Sequence, residues 1–429
     1  MITRIKFGGY RLLNDFEADL KLLNVVIGAN ASGKSSLING LHLIRDCCGF
    51  PLNTAIEQNG GAFSLLTAGG GSGQLTWEID FQRPANPYWD DVPLEPKNPL
   101  SYEVVLKADA QGLMQAQYEV LRYLYPAAGY KGSLKHLEAT PYKRQVFDRK
   151  QHKLIEFDME QPASTEVVDS GATAVQEGTI GEQRESALLL SQLLFFNEFP
   201  VPAGALYFFR RVLCYPGFDV TRSSALRTKA AEIKPTPLLT SNGDNLGTVL
   251  HEILTRYDFR STAQELRDFL HVAYPWFEEI NCETTFGAPP KVLVRIRERG
   301  MSRAMELWEL SDGMLRFLCL ATALLNPIPP SLVAIDEPES GLHPGLLPIV
   351  AEMIKAAAER TQVLVTTHSP DLLDCFDIDD VAVMARDADE ARSIWYRPSN
   401  RSTLIEMLKD VTGDTLGDLH RSGELEAGV

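Results

Sequence analysis

The sequence predicts an α/β fold, and three stretches predict it. Asn24–Ser36 reads as an apolar strand feeding a small-residue turn and then a helix. Ser331–Pro338 and Thr361–Pro370 read as two further buried strands, each ending in polar, chemistry-bearing residues. Continuous runs of Val, Ile and Leu separated by helical patterns are what a parallel sheet covered on both faces requires.

The first stretch is the most specific. Gly28, Ala29, Asn30, Ala31, Ser32, Gly33, Lys34 and Ser35 have the phosphate-loop spacing G-x-x-x-x-G-K-[ST], with Ser36 behind them in the helix. In that pattern the glycines let backbone N–H groups curl around a β-phosphate. The following helix points its partial positive charge at the anion. Lys34 is placed to neutralise the β- and γ-phosphates, and the Ser35 hydroxyl to complete a Mg²⁺ shell. The alternative is a Gly/Ser turn that merely precedes a helix, and the flanking strand and helix argue against it.

Bulk properties set the frame. A chain of 429 residues is long for one core, so two or three closely associated subdomains are expected. With 45% hydrophobic and 23% charged residues it reads as an ordinary soluble globular protein. No apolar run reaches the roughly 18 residues of a membrane span, and Met1–Lys6 alternates like a strand instead of opening a signal peptide. The six cysteines lack C-x-x-C spacing and read as packed free thiols in a reducing cytoplasm. A net charge of −16 argues against a chain that coats nucleic acid, although a local basic groove is compatible with it.

Taken in order, residues 1–181 read as a P-loop lobe with an antiparallel β subdomain. Strands are expected at 2–8 and 15–28, and the P-loop helix as far as Arg45. Short alternating pieces follow at Leu75–Phe81, Tyr102–Leu106, Tyr118–Tyr123 and Leu154–Phe157, with turn clusters between them. Residues 161–181 are polar and read as a loop. Residues 182–310 read as a helical lobe, with helical patterns at 187–194, 245–258 and 262–272 and a strand pair at 277–285 and 291–297. Residues 311–429 complete the nucleotide-binding core.

That last part carries the second half of the site. Asp336 and Glu337 end an apolar strand. In a P-loop enzyme the first carboxylate would hold Mg²⁺ through its water shell, and the second can polarise an attacking water. His368 stands at the tip of the next buried strand. It reads as a γ-phosphate contact, against the plainer reading of a structural histidine. Ser311-Asp312-Gly313-Met314 leads into an apolar helix, where Ser311 reads as an N-cap. A Ser-x-Gly at a helix N-terminus is also a second anion site. One polypeptide does not easily wrap both ends of a nucleotide, so this suggests a nucleotide sandwiched between two copies.

In this order the motifs resemble the ABC-type ATPases of the RecF/SMC branch. The nearer likeness is to bacterial predicted RecF-type ATPases and to the ATPase half of the OLD family. Glu185–Leu188, Asn242–Leu246, Leu310–Leu318, Asp336–Pro344, Gln362–Pro370 and Leu416–Leu425 carry it, and it is weakest over 74–181. The resemblance implies an ABC-type P-loop NTPase head that binds ATP with Mg²⁺ and hydrolyses it. It implies a head-to-tail homodimer, with a higher oligomer left open. Each site would join Gly28–Ser36, Asp336, Glu337 and His368 of one copy to Ser311 and Gly313 of the other. Lys34, Glu337 and His368 would then be the catalytic set. Ser35, Asp336 and the Q-loop candidate Gln192 would be the metal set, with Gln82 the other candidate, and residues 339–343 would form the D-loop. The signature departs from Ser-Gly-Gly-Gln, because Met314 stands in the place of the last Gln.

Two absences sharpen the expectation. The chain has no long coiled coil, and only residues 369–429 follow His368, so no Toprim nuclease is expected. The acidic pairs at 377–380 and 387–390 read as solvated turns. By resemblance, the expected role is an ATPase that controls a separate effector, a nuclease or toxin, in bacterial anti-phage defence. The alternative is a RecF-like DNA-binding ATPase in repair. Its basic surface would come from Lys143, Arg144, Arg149, Lys150 and Lys153, or from Arg295, Arg297, Arg299 and Arg303. No membrane partner is expected.

Overall fold

The computed structural model describes residues 1–68, 73–85, 87–92, 94, 98–124, 135–140, 143–148, 153–156, 187–192, 199–228, 231–232, 238–285, 291–387, 392–401, 404, 408 and 415–426. The loop expected at 161–181 lies outside them.

Along the chain run β1 (Ile2–Gly8), β2 (Phe16–Asp19), β3 (Leu23–Ile27) and helix α1 (Lys34–Gly49). Next come β4 (Gln74–Phe81), β5 (Leu100–Ala108), β6 (Met114–Tyr123), β7 (Lys135–Thr140), β8 (Lys143–Asp148) and β9 (Lys153–Glu156). Then follow α2 (Pro200–Arg210), β10 (Val212–Tyr215), β11 (Ala231–Glu232), α3 (Leu246–Thr255), α4 (Arg260–Ala273), β12 (Phe277–Thr285), β13 (Lys291–Glu298) and β14 (Met305–Glu306). The remainder holds α5 (Asp312–Leu324), β15 (Leu332–Asp336), α6 (Leu347–Ala358), β16 (Gln362–Thr366), α7 (Pro370–Leu373), β17 (Val381–Arg386), β18 (Ser393–Tyr396) and α8 (Leu416–Arg421).

The central layer is a six-stranded sheet ordered β10-β15-β16-β3-β17-β18, parallel except for β18. Its strands are buried on both faces, so their side chains divide between two cores. Val26, Leu332, Ala334, Leu364 and Met384 pack with α1, α2 and the antiparallel sheet β2-β1-β4-β5-β6-β7-β8-β9. Val25, Ile27, Val333, Ile335, Val363 and Val365 pack with α3, α4, α5 and α6. Parallel strands put all their carboxyl ends on one edge, and ligands of such sheets gather there. β3, β15 and β16 end there in the P-loop, in Asp336 and just before His368.

Two expectations need correction. The P-loop helix runs on to Gly49, because Cys47 and Cys48 continue its buried face. The helix expected over 187–194 is only a 3₁₀ turn at Leu190–Gln192, and residues 193–198 lie outside the described set. The N–H groups of Leu189 and Leu190 donate to the buried Glu119 carboxylate at 2.6 and 2.9 Å, and Tyr102 adds its hydroxyl at 2.9 Å. The stretch 182–310 contributes β10, one of the two edge strands of the central sheet. Among the described residues no helix is long and apolar enough to cross a membrane. All six cysteines are free thiols.

Candidate functional site

The loop after β3 has two positions that demand glycine. Gly28 has φ +149°, and a Cβ there would stand 2.0 Å from the Met384 carbonyl oxygen. Gly33 has φ +105°, and a Cβ would meet the Ser393 hydroxyl at 2.3 Å. Between them Ala31 also adopts a positive φ, +61°. Ser393 Oγ donates to the Ser32 carbonyl at 2.7 Å and ties the loop to β18. The loop therefore holds its curl before any ligand arrives. No side chain caps the start of α1, so the N–H groups of its first turn are left for an anion.

Lys34 is buried, and its Nζ donates to the carbonyls of Gly28 at 2.7 Å and Ala29 at 3.0 Å. Burial lowers its pKa, while the carboxylates of Asp336, Glu337 and Glu426 pull the other way. Ala29, Asn30 and Ser35 are exposed at the mouth of the loop, and Ser36 is half-buried.

Asp336 closes β15, and its Oδ1 accepts the Thr366 hydroxyl of the neighbouring β16. Glu337 follows with φ +47°, a left-handed conformation that costs a non-glycine residue energy and re-aims its side chain. Its N–H donates to Thr366 Oγ1 at 3.1 Å, and its Oε2 accepts the Ser340 hydroxyl at 3.1 Å. Its Oε1 lies 3.9 Å from His368 Nε2. Both Asp336 and Glu337 face a cavity of about 460 Å³, whose other walls include Pro216, Gly217, Phe218, Asp219 and Arg316.

Gln192 is not brought to this edge. Its turn packs where Glu119 receives Leu189 and Leu190, near Cys47 and Cys48 at the far end of α1 from Lys34. Its side-chain amide donates to Ala187 and Leu188 instead. Gln82 is no closer substitute, since its backbone pairs with Met1 at the β1–β4 edge. The segment beside the carboxylates is Pro216–Asp219, which leaves the carboxyl end of β10 next to β15. No motif in the sequence marks it, because only the strand order makes β10 the neighbour of β15.

Ser311 is an N-cap, and its Oγ accepts the Met314 N–H at 3.2 Å. Arg227 fixes the same helix start through Asp312 at 2.5 Å and the Leu310 carbonyl at 2.7 Å. A Cβ at Gly313 would stand 3.4 Å from the Gly341 carbonyl oxygen, so the signature lies beside the loop after β15 within one chain.

A further group came from a block that the sequence left without a role. α8 packs on α7, with the Gly417 N–H donating to Asp374 at 2.6 Å and Arg421 paired to Asp371 at 2.9 Å. His420 Nδ1 lies 3.3 Å from Glu426 Oε1. Burial lowers the pKa of His420, Glu426 opposes this, and the charges of His368 and Lys34 add to it. The acidic pair at 377–380 is a turn in which Asp380 N–H donates to the Asp377 carbonyl at 2.9 Å. Among the described residues no group of three His, Cys, Asp or Glu side chains is arranged to hold a metal ion. Of the basic candidates, Arg295 is paired with Glu283 and Arg303 with Glu309. Arg149 and Lys150 lie outside the described residues, as do the side chains of Lys143, Arg144 and Lys153.

Comparison with known proteins agrees with this geometry. The family model AAA_21, described as "AAA domain, putative AbiEii toxin, Type IV TA system", matches residues 23–101 and 226–374. The phosphate import ATP-binding protein PstB 2 of Mycobacterium tuberculosis is 26% identical over 144 residues, 32% of this chain and 41% of that protein. The chain thus spans about two fifths of the length of that curated relative. The Nod factor export ATP-binding protein I of Mesorhizobium japonicum is 41% identical over 61 residues, 14% of this chain and 17% of that one. Among solved structures, an Smc head bound to the C-winged helix domain of ScpA superposes with a TM-score of 0.50 at 12% identity. That match covers 92% of this chain and 97% of the other, and it is a likeness of fold.

Proposed function

The chain belongs to the AAA_21 family and with it to the ABC-type ATPases, and we propose that it binds two ATP molecules between two copies of itself and hydrolyses them to control a separate effector protein. The observation that carries this reading is the meeting of Lys34, Asp336, Glu337 and His368 at the carboxyl edge of one parallel sheet. The curled loop from Gly28 to Ser36 receives the β-phosphate on its N–H groups, and Lys34 turns from its carbonyl partners to the β/γ oxygens. Ser35 and Asp336 are the residues that would hold Mg²⁺, which supplies charge neutralisation at those oxygens. Their fit rests on an exposed hydroxyl in the first turn of α1 and a carboxylate at the end of β15, one strand removed from β3. Glu337 polarises the attacking water, and His368 contacts the γ-phosphate.

Ser311 and Gly313 reach the nucleotide from the second copy. In support of this, among the described residues Ser311 bonds Met314 and Gly313 lies beside Gly341, and neither is bonded to the P-loop. The toxin and type IV system in the family description support an effector-controlling role in bacterial defence, in keeping with the RecF- and OLD-like order of motifs. The DNA-binding alternative is the weaker one, because Arg295 and Arg303 already carry carboxylate partners.

Glu337→Gln tests the reading. It removes the base and keeps the shape, so ATP turnover should fall by about a hundredfold or more. Light scattering should then find an ATP-held dimer. Turnover at the wild-type rate would sink the assignment of Glu337. A protein captured with this variant in ATP, surviving nuclease and high salt, is the expected effector. Nucleic acid alone, lost in salt, would favour the repair ATPase.

A further inference from the structure

We propose that Glu339 positions His368 for turnover, by clamping the chain just beyond β16 to the loop just beyond β15. The inference rests on the reading of His368 given above and adds a residue to it.

The ladder between β15 and β16 ends at the pair Asp336 and Thr366. Past that pair the chain bearing Thr367 and His368 has left the sheet's pairing with β15. Glu339 takes over there. Its Oε1 accepts the Thr367 hydroxyl at 2.7 Å and the His368 backbone N–H at 2.9 Å. Thr367 Oγ1 in turn accepts the Ser369 N–H at 2.9 Å, so His368 lies inside a small bonded ring. Hydrogen bonds to a carboxylate are shorter and about twice as strong as neutral ones, which suits a clamp.

The clamp is itself held. The Glu339 carbonyl accepts the Leu342 N–H at 3.1 Å, and Gly341 allows the tight turn with φ +73°. The same loop supplies Ser340 to Glu337 at 3.1 Å. One short segment therefore holds both the Glu337 carboxylate, through Ser340, and the backbone that carries the His368 imidazole, through Glu339. Their present separation, 3.9 Å between Oε1 and Nε2, is the quantity that the segment controls. Glu339 Oε1 is taken up by Thr367 and His368, so its effect should fall on the rate and not on ATP affinity.

Turnover of the full chain at saturating ATP, measured as a double-mutant cycle with His368→Ala, tests this. Glu339→Ala should lower kcat about tenfold or more, as misplacement of a reacting group does, with KM unchanged. Glu339→Gln keeps an acceptor oxygen and should recover most of the rate. In the His368→Ala background Glu339→Ala should add nothing further. An equal loss in both backgrounds would overturn the proposal, as would a loss confined to KM. If His368→Ala alone turns over like wild type, the reading of His368 falls and takes the inference with it. Should Glu339→Ala fail to fold, Thr367→Val removes only the hydroxyl arm. It should show a smaller loss that again disappears in His368→Ala, and an undiminished loss there would refute the clamp.

Discussion

Helices α1 and α5 both begin at glycine-bearing turns near the site, and they begin differently. α1 starts after Gly33, in the left-handed region and with no side chain on its first N–H groups. α5 starts after Ser311, whose oxygen already accepts from Met314, while Arg227 holds Asp312. An anion at α1 meets first-turn donors that no side chain caps among the described residues. An anion at α5 meets a helix end whose Met314 N–H is already taken by Ser311, and gains the Ser311 O–H and the N–H groups of Asp312 and Gly313. On the proposed function the first end receives the phosphate of its own chain's nucleotide, and the second completes the site of the other copy.

Three measurements bear on that contrast. The largest effect is expected at Lys34, where replacement by Ala removes a buried cation from the open end. Titration calorimetry should show nucleotide affinity falling about a hundredfold, near 3 kcal/mol, and an unchanged affinity would break the contrast. The next effect lies at the other end of α1, which the chain closes with its own side chains. Asp46 is buried there among His42, Arg45 and Asn59, with contacts of 3.1, 2.8 and 3.0 Å. Burial pushes its carboxyl up, but the bond from His42 and the charge of Arg45 win and hold it at about 2, against an ordinary 3.8. A depressed carboxyl stabilises the fold above its unfolded value, and that stability is lost as pH falls from 3.8 towards 2. Asp46→Asn should cost about 1–2 kcal/mol at neutral pH. It should also flatten the acid limb of a denaturation-versus-pH curve, with nucleotide binding intact. The smallest effect is expected at Ser311→Ala, about 1 kcal/mol of stability from the lost cap. ATP should bind the single chain as before. An affinity loss on the scale of Lys34→Ala would show that both helix ends serve the same chain.

Sequence and structure agree where function is written in contiguous residues. β3, the glycine loop and α1 were legible because strand, turn and helix follow one another, and Asp336 and His368 because each ends a run of Val, Ile and Leu. The parts that were not legible depend on which strands become neighbours. Gln192 looked suitable as a glutamine after a leucine-rich run, but the buried Glu119 draws that run to the far end of α1. Pro216–Asp219 has no signature, and becomes part of the cavity only because β10 pairs with β15. His420 was visible within the block Leu416–Leu425, which had no chemical reading, and Glu426 lies just past it. Their nearness to Lys34 and His368 comes from α8 packing on α7.

The division of each central strand between two cores bears on how this chain can drift over generations. On β15, Leu332 and Ala334 answer to one set of neighbours, Val333 and Ile335 to another. A change on one side can be accommodated by its own layer while the other holds the strand in place. The tip of β15 therefore inherits its address from two independent witnesses. Much of the interior could be rewritten, one layer at a time, before Asp336 moved.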